Sequence, residues 1–305
     1  MKFPSPSSAE AVVAITDLSR RFGSKTVLDN VSLYAPRGSV FGLVGENGAG
    51  KTTLIKHILG LLRAEAGNVC VFGMDPVKDP VSVLGRIGYL SEQPDLPGWM
   101  RVDELIRYTQ AFYPEWDAAF AEEMRKIFGL DPTARVRTLS KGQRAKAGLL
   151  LAQAHRPDLL LLDEPSSGLD PIVRRDILEA VIRTVADEGR TVFFSSHLLE
   201  EIERVSDHIA MLHQGKLVLC GSLDEIKSRH RRVTLHFDRP PVVRPRFRGA
   251  LTIAGDGKEW TVISNGENSR TEWTAAGARI VDESGPSLNE IFVAHVGAPP
   301  MAEAA

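Results

Sequence analysis

Apolar residues follow two patterns along this chain. Ser39 to Val44, Leu159 to Leu162, Thr191 to Ser195 and Ile209 to Leu212 are short, nearly continuous apolar runs, which read as strands buried on both faces. Val69 to Phe72 and Ile87 to Leu90 read as further strands, and Ala11 to Ile15 and Val27 to Tyr34 as a pair flanking a turn near Gly23-Ser24. Between the runs, apolar positions recur at helical spacing. Leu54, Ile55, Ile58, Leu59 and Leu62 form one such stripe. From Val102 to about Gly129 the spacing predicts helix, with Leu105, Ile106, Phe112, Phe120, Met124 and Phe128 as its apolar positions, and Leu139 to Ala154 predicts another. Asp170-Pro171 reads as the cap and first-turn residue of a helix whose Ile177, Leu178, Val181, Ile182 and Val185 precede a stop at Gly189. Strands alternating with helices predict an α/β domain with a mainly parallel sheet over residues 11–229, and the helical stretch near residues 95–155 reads as an inserted subdomain.

After Ile226 the character changes. Lys227 to Arg248 holds eight Lys/Arg and one acid, Asp238. Ala250 to Ala254 and Trp260 to Ser264 flank Gly255-Asp256-Gly257-Lys258-Glu259, a hairpin signal. Ser287-Leu288-Asn289-Glu290 is a capping box before a short apolar helix through Val296. Residues 230–297 read as a small α+β appendage, with 298–305 as a disordered tail.

Composition narrows the picture at three points. A net charge of −2 argues against binding nucleic acid by bulk charge. Two cysteines, Cys70 and Cys220, imply no disulfide framework, and neither has a neighbouring Cys or His at metal-ligand spacing, so no zinc site is expected. No apolar run approaches the roughly 18 residues that span a bilayer. The polar, proline-rich start from Met1 to Ser8 lacks the apolar stretch of a signal peptide. These points predict a cytoplasmic protein with a flexible segment at residues 1–10.

The candidate chemistry begins at Gly45, Glu46, Asn47, Gly48, Ala49, Gly50, Lys51 and Thr52, which fit the phosphate-binding pattern G-x-x-x-x-G-K-[ST] at every fixed position. Glycines let backbone N–H groups close around the phosphates of a nucleotide, Lys51 reaches the β- and γ-phosphates, and the Thr52 hydroxyl suits Mg²⁺. Thr53 completes this nucleotide-binding set. The loop lies between a buried strand and a helix, whose positive dipole end then faces the phosphates. A second group, Asp163-Glu164, ends the Leu159 run, where an acid points into the crevice in which α/β sheets bind ligands. Asp163 suits the metal, and Glu164 suits accepting a proton from an attacking water.

Between these groups lies Leu139-Ser140-Lys141-Gly142-Gln143, which resembles the L-S-G-G-Q signature of ABC-type ATPases with Lys141 in place of a glycine. Other elements of that family follow in order. Phe22 matches the aromatic residue that stacks on adenine, Gln93 the Q-loop, Ser167-Gly168-Leu169-Asp170 the D-loop and His197 the H-loop histidine. The resemblance covers roughly residues 11–225. It implies a P-loop NTPase fold with an antiparallel β subdomain, ATP and Mg²⁺ as cofactors, and ATP hydrolysis. It implies Glu164, His197 and Gln93 as catalytic residues, with Thr52, Gln93 and Asp163 at the metal. It also implies a head-to-tail dimer in which Ser140, Gly142 and Gln143 of one protomer meet the γ-phosphate held by the other, with Asp170 among the nucleotide-binding residues; every consensus position but Lys141 is filled, which favours a homodimer. Phe22 could instead be core, and Lys141 either adds charge near the phosphate or, the favoured reading, points to solvent.

The resemblance implies a separately encoded transmembrane permease docking near the Q-loop, and hence a peripheral position on the cytoplasmic face of the membrane. Trp99 and Trp116 read equally as interface anchors or as subdomain core. The short stretch from Gln93 to the signature, and the ending Pro286 to Phe292, look most like the ABC-2 export type, whose systems move lipids, drugs or antibiotic peptides. An importer subunit and a soluble ATPase acting on DNA or ribosomes are the alternatives. The soluble ATPases usually carry a long coiled coil or two ATPase units, and this chain shows one unit and no sustained heptads.

Overall fold

The computed structural model describes residues 11–186, 189–266 and 270–297. The expected flexible start at 1–10 and the tail at 298–305 lie outside the described residues. The chain divides into two compact units, Met1–Cys220 and Gly221–Ala305.

The first unit contains, in order, β1 (Ala11–Phe22), β2 (Lys25–Pro36), β3 (Val40–Val44), α1 (Lys51–Ile58), β4 (Ala66–Val71), α2 (Pro80–Leu84), β5 (Ile87–Leu90), α3 (Val102–Gln110), α4 (Ala118–Ile127), α5 (Lys141–Gln153), β6 (Leu159–Asp163), α6 (Pro171–Ala186), β7 (Thr191–Ser196), α7 (Leu199–Val205), β8 (His208–His213) and β9 (Lys216–Ser222). One sheet has the order β5-β6-β7-β3-β8-β9. The pairs β5–β6, β6–β7, β7–β3 and β3–β8 are all parallel. The continuous apolar runs make its centre: every residue of β3, β6 and β7 is buried. Burying each leucine of Leu159 to Leu162 contributes about 1.5–3 kcal/mol, which holds this strand firmly between β5 and β7. Parallel pairing brings the carboxyl ends of β3, β6 and β7 to one edge.

A second sheet, β2-β1-β4, is antiparallel. Its Val13, Ile15, Leu18, Val31 and Leu33 share one core with Leu54, Ile55 and Ile58 of α1 and with Phe41, Leu161 and Phe193 of the parallel sheet. β1 and β2 are both longer than their apolar runs, because main-chain pairing continues through Arg20↔Leu28 and Phe22↔Lys25 to the turn at Gly23.

The helix expected from Val102 to Gly129 is two helices. Pro114, in the break between α3 and α4, has no N–H to donate and bars helical geometry in the residue before it. The chain restarts at Asp117, whose carboxylate accepts from the Phe120 N–H at 2.9 Å. α5 packs on β5, where a side chain at Gly88 would run into the Ala152 carbonyl oxygen. Phe112 is exposed rather than core, Trp99 is exposed, and Trp116 is half-buried.

The second unit holds α8 (Leu223–Arg229), β10 (His230–Phe237), β11 (Ala250–Asp256), β12 (Glu259–Asn265), α9 (Arg270–Ala275), β13 (Ala278–Ser284) and α10 (Leu288–Gly297). Its sheet has the order β11-β12-β10-β13, antiparallel throughout. Val233, Leu235 and Phe237 face a core with Ile253, Val262, Trp273 and Ala278. The boundary after Cys220 assigns α8 to this unit, whereas the sequence reading divided the chain after residue 229. α8 packs on β10, and the His230 imidazole meets the Ile226 carbonyl at 2.6 Å. The hairpin forms with Asp256 opposite Glu259, and Ser287 and Glu290 cap α10 reciprocally. His230, 1% exposed, also meets His295 Nε2 to Nε2 at 3.0 Å. Burial lowers the pKa of both imidazoles.

Candidate functional site

The site forms where β3, β6 and β7 end. The chain leaves β3 through Gly45 to Gly50 and enters α1 at Lys51. Gly50 has φ of 112°, a region that favours glycine, and a Cβ there would lie 2.8 Å from the Val27 carbonyl. The loop is pinned by Ala49 N–H to the Glu46 carbonyl (3.1 Å) and by Gly215 N–H to the Ala49 carbonyl (3.1 Å). Glu46, Asn47, Gly48 and Thr52 are exposed, Thr53 is half-buried, and Gly45, Ala49, Gly50 and Lys51 are buried. Lys51, 5% exposed, folds back over the loop and donates to the carbonyls of Gly45 (2.5 Å) and Glu46 (3.1 Å).

The apolar run of β6 delivers Asp163 and Glu164 to the same edge. Asp163 is 2% exposed and accepts from Ser195 Oγ at 2.8 Å. Burial pushes its carboxyl above the ordinary range, and hydrogen bonds from Ser195 and Thr52 pull part of the way back. Glu164 has a left-handed backbone, φ 50°, held by its N–H donating to Ser195 Oγ at 3.0 Å. Its Oε1 lies 3.0 Å from Lys51 Nζ. This is a charge contact rather than an aligned hydrogen bond: among the described residues Oε1 has no hydrogen-bond partner. Its Oε2 receives His197 Nδ1 at 2.7 Å and the His197 N–H at 3.3 Å. A carboxylate can only accept, so Nδ1 carries the proton. Lys51, Asp163, Glu164 and His197 therefore converge from three segments, with Ser195 as a tie that the sequence reading missed.

The other expected residues lie around this centre. Phe22 is 46% exposed at the end of β1, with the Arg20 guanidinium 4.7 Å from its ring centroid, which excludes a core role. Gln93 is exposed on the loop after β5, where its carbonyl accepts from Ser91 Oγ (3.0 Å). Among the described residues, its side chain makes no hydrogen bond to Thr52, Asp163 or Glu164. Its neighbour Glu92 does face the site: the Glu92 charge helps raise the Asp163 pKa, and Glu92 accepts from Ser167 Oγ at 3.2 Å. An acid two residues past a largely buried strand was the signal for it.

Ser140 caps α5. Its Oγ accepts from Gln143 N–H (3.2 Å), and Gln143 Oε1 accepts from Ser140 N–H (2.9 Å). Gly142 is buried against Val173 of α6, and Asp170 caps α6 by accepting from Ile172 (3.0 Å) and Val173 (3.1 Å). Lys141 is exposed, as expected, but its ammonium does not simply face solvent; it lies over Gly168, close enough to occupy the space of a side chain there. Among the described residues, no hydrogen bond or ion pair joins Ser140, Lys141 or Gln143 to Lys51, Glu164 or His197.

No helix among the described residues is long and apolar enough to cross a membrane.

Known proteins resemble this chain in sequence and in fold. The family described as ABC transporter matches residues 28–167. The ABC transporter ATP-binding protein YtrB of Bacillus subtilis is 29% identical over 94% of this chain and 98% of its own length, a span that includes the second unit. The bacitracin transport ATP-binding protein BcrA of Bacillus licheniformis is 32% identical over 72% of this chain and 73% of its own. A solved ATP-binding subunit of an ABC transporter superposes with a TM-score of 0.65 at 30% identity, covering 71% of this chain and 92% of that one. With the glycine loop, the paired acids and the histidine at one sheet edge, this chain belongs to the ABC transporter family as a nucleotide-binding ATPase subunit with the P-loop NTPase fold.

Proposed function

We propose that the chain binds ATP with Mg²⁺ at this edge, hydrolyses it, and thereby powers a separately encoded membrane permease. The observation that carries the reading is the Glu164 carboxylate held between Lys51 and His197, at 3.0 and 2.7 Å, beside the glycine loop. A phosphate offers Lys51 a stronger acceptor than two carbonyls do. Engaging it frees Glu164 Oε1 to accept a proton from the attacking water, while His197 keeps Oε2 oriented. The Thr52 hydroxyl beside the Asp163 carboxylate is an all-oxygen set that suits Mg²⁺. When bound, the metal neutralises charge on the phosphate oxygens. Gln93 is assigned to the metal and the water, and the exposed Phe22 ring to the adenine.

The absence, among the described residues, of any hydrogen bond from Ser140 or Gln143 to Lys51, Glu164 or His197 supports a head-to-tail homodimer. Ser140, Gly142 and Gln143, with Asp170, serve the site of the second copy rather than their own. A groove of about 440 Å³, lined by Leu61, Tyr89, Pro94, Leu96, Tyr113 and Leu151, adjoins the loop of Gln93. It supports docking of a cytoplasmic helix of the permease, which would hold the chain at the inner face of the membrane. BcrA is described by bacitracin transport, and this supports an ABC-2 type exporter of lipid, drug or peptide-like cargo.

The test has two arms. Glu164→Gln is expected to lower steady-state ATP hydrolysis by about a hundredfold or more while ATP still binds and drives dimer formation seen by light scattering. Hydrolysis at the wild-type rate removes Glu164 from the chemistry. A pull-down of the tagged protein from solubilised membranes is expected to recover a multi-span protein. Recovery of ribosomal or DNA-repair proteins alone overturns the transport reading.

A further inference from the structure

A third carboxylate in the nucleotide unit is buried as deeply as Asp163 and Glu164, and no motif of the family pattern described above includes it. Glu201, on α7, is 5% exposed. Its Oε2 accepts from Ser166 Oγ at 2.6 Å and from Ser196 Oγ at 2.9 Å. Its Oε1 lies 3.1 Å from Nε of Arg174 on α6. Both serines sit beside the hydrolytic pair. Ser196 immediately precedes His197, and its Oγ also accepts from the Leu198 N–H at 3.0 Å, closing the turn that carries the imidazole. Ser166 lies in the turn closed by Ser167 N–H to the Glu164 carbonyl, 3.1 Å. One anionic oxygen thus joins the segment after β6 to the segment after β7.

We propose that Glu201 is a positioning residue for ATP hydrolysis: by holding Ser166 and Ser196 on a single oxygen, it sets where Glu164 stands relative to His197. The proposal rests on the roles given to Glu164 and His197 above. The chemistry of a carboxylate explains the choice of residue. It accepts only, so both hydroxyls must donate to it, and the Ser196 lone pairs are left for Leu198 N–H. An amide cannot do both jobs. With its NH₂ toward Arg174, a donor meets a donor. With its NH₂ toward the serines, both hydroxyls must turn round and lose the acceptor oxygen they share. The well-formed bonds of Glu201 all go to the two serines. Its contact with Arg174, a side chain about one-third exposed, is a charge contact without hydrogen-bond alignment. Glu201 is therefore built to order the serines more than to anchor α6.

The experiment uses the full chain. Glu201→Gln, the double variant Arg174→Gln/Glu201→Gln and, in parallel, Glu164→Gln are compared by steady-state hydrolysis, by equilibrium binding of Mg-ATP and by thermal melting. Positioning predicts that Glu201→Gln lowers kcat between about tenfold and a hundredfold, as a misplaced catalytic pair does. ATP affinity stays within about twofold, because Lys51 and the glycine loop are untouched. The double variant recovers most of the kcat, since the carbonyl oxygen introduced by Arg174→Gln accepts from the new amide and lets that amide's own oxygen return to the serines. Unchanged kcat in Glu201→Gln overturns the proposal. So does a parallel fall of kcat, affinity and melting temperature without recovery, which marks a purely structural residue. Wild-type hydrolysis by Glu164→Gln would instead show that the underlying site reading had failed.

Discussion

At the carboxyl edge of the parallel sheet, one ammonium, two carboxylates and an imidazole crowd together, and Asp163 carries a pKa raised by burial beside a second acid. In the C-terminal unit, His230 and His295 meet over 3.0 Å with burial holding both pKa values down. In the first cluster burial works against the Asp163 carboxylate, yet ionisable groups are gathered there; in the second, burial favours the neutral imidazoles. The difference separates groups arranged for a ligand from groups arranged for packing. A charged cluster that is still short of partners has capacity for a phosphate and a cation, whereas the histidine pair is satisfied by the Ile226 carbonyl and by itself.

Substitutions should divide along the same line. Lys51→Met is expected to weaken ATP binding by about a hundredfold or more, as loss of one member of a buried charge pair does, with equilibrium titration as the check. Affinity near wild type would mean the ammonium serves Glu164 rather than a phosphate. Asp163→Asn should lower hydrolysis by about two orders of magnitude. Yet it should raise the melting temperature of the nucleotide-free chain, at about 2–4 °C per kcal/mol relieved. The sign follows from the raised pKa: the ionised acid costs stability above its folded pKa, and that cost disappears as pH falls through it. A lower melting temperature would class Asp163 with the structural groups. Ser195→Ala removes the tie between Asp163 Oδ1 and the Glu164 N–H and should cost about tenfold in kcat with affinity retained.

The histidine pair should behave in the opposite way. Its depressed pKa values make a contribution to stability that is complete above the ordinary value of 6.5 and is lost as pH falls below it. His295→Phe should flatten the fall in melting temperature between about pH 7.5 and 5.5 and leave neutral-pH hydrolysis unchanged. An altered kcat would tie the second unit to the nucleotide cycle and break the comparison.

Much of the centre was legible in the sequence because its signals are local. The glycine loop is contiguous, and Leu159 to Leu162 aims Asp163 and Glu164 without help from distant residues. Ser195, Ser196 and Glu201 were not legible as a set. Their bonds to Asp163 and Ser166 cross more than thirty positions, and two serines at a strand end carry no periodic signal. Pro114 was visible, but helical spacing on either side of it masked the break. The position of Lys141 over Gly168 depends on α5 and the segment before α6 lying side by side, which only the fold supplies.

The bare backbone of Gly88 lets α5 come close to β5 at Ala152, near one end of the helix. The helix has 13 residues and is about 20 Å long. Tilting it by about 10° at that contact carries Ser140, at the far end, through about 3.5 Å, more than the length of a hydrogen bond. The arm reaches from the strand that leads into the Gln93 loop to the residues assigned to a second copy's nucleotide. In the proposed dimer, a tilt of that size would be enough to engage or withdraw them.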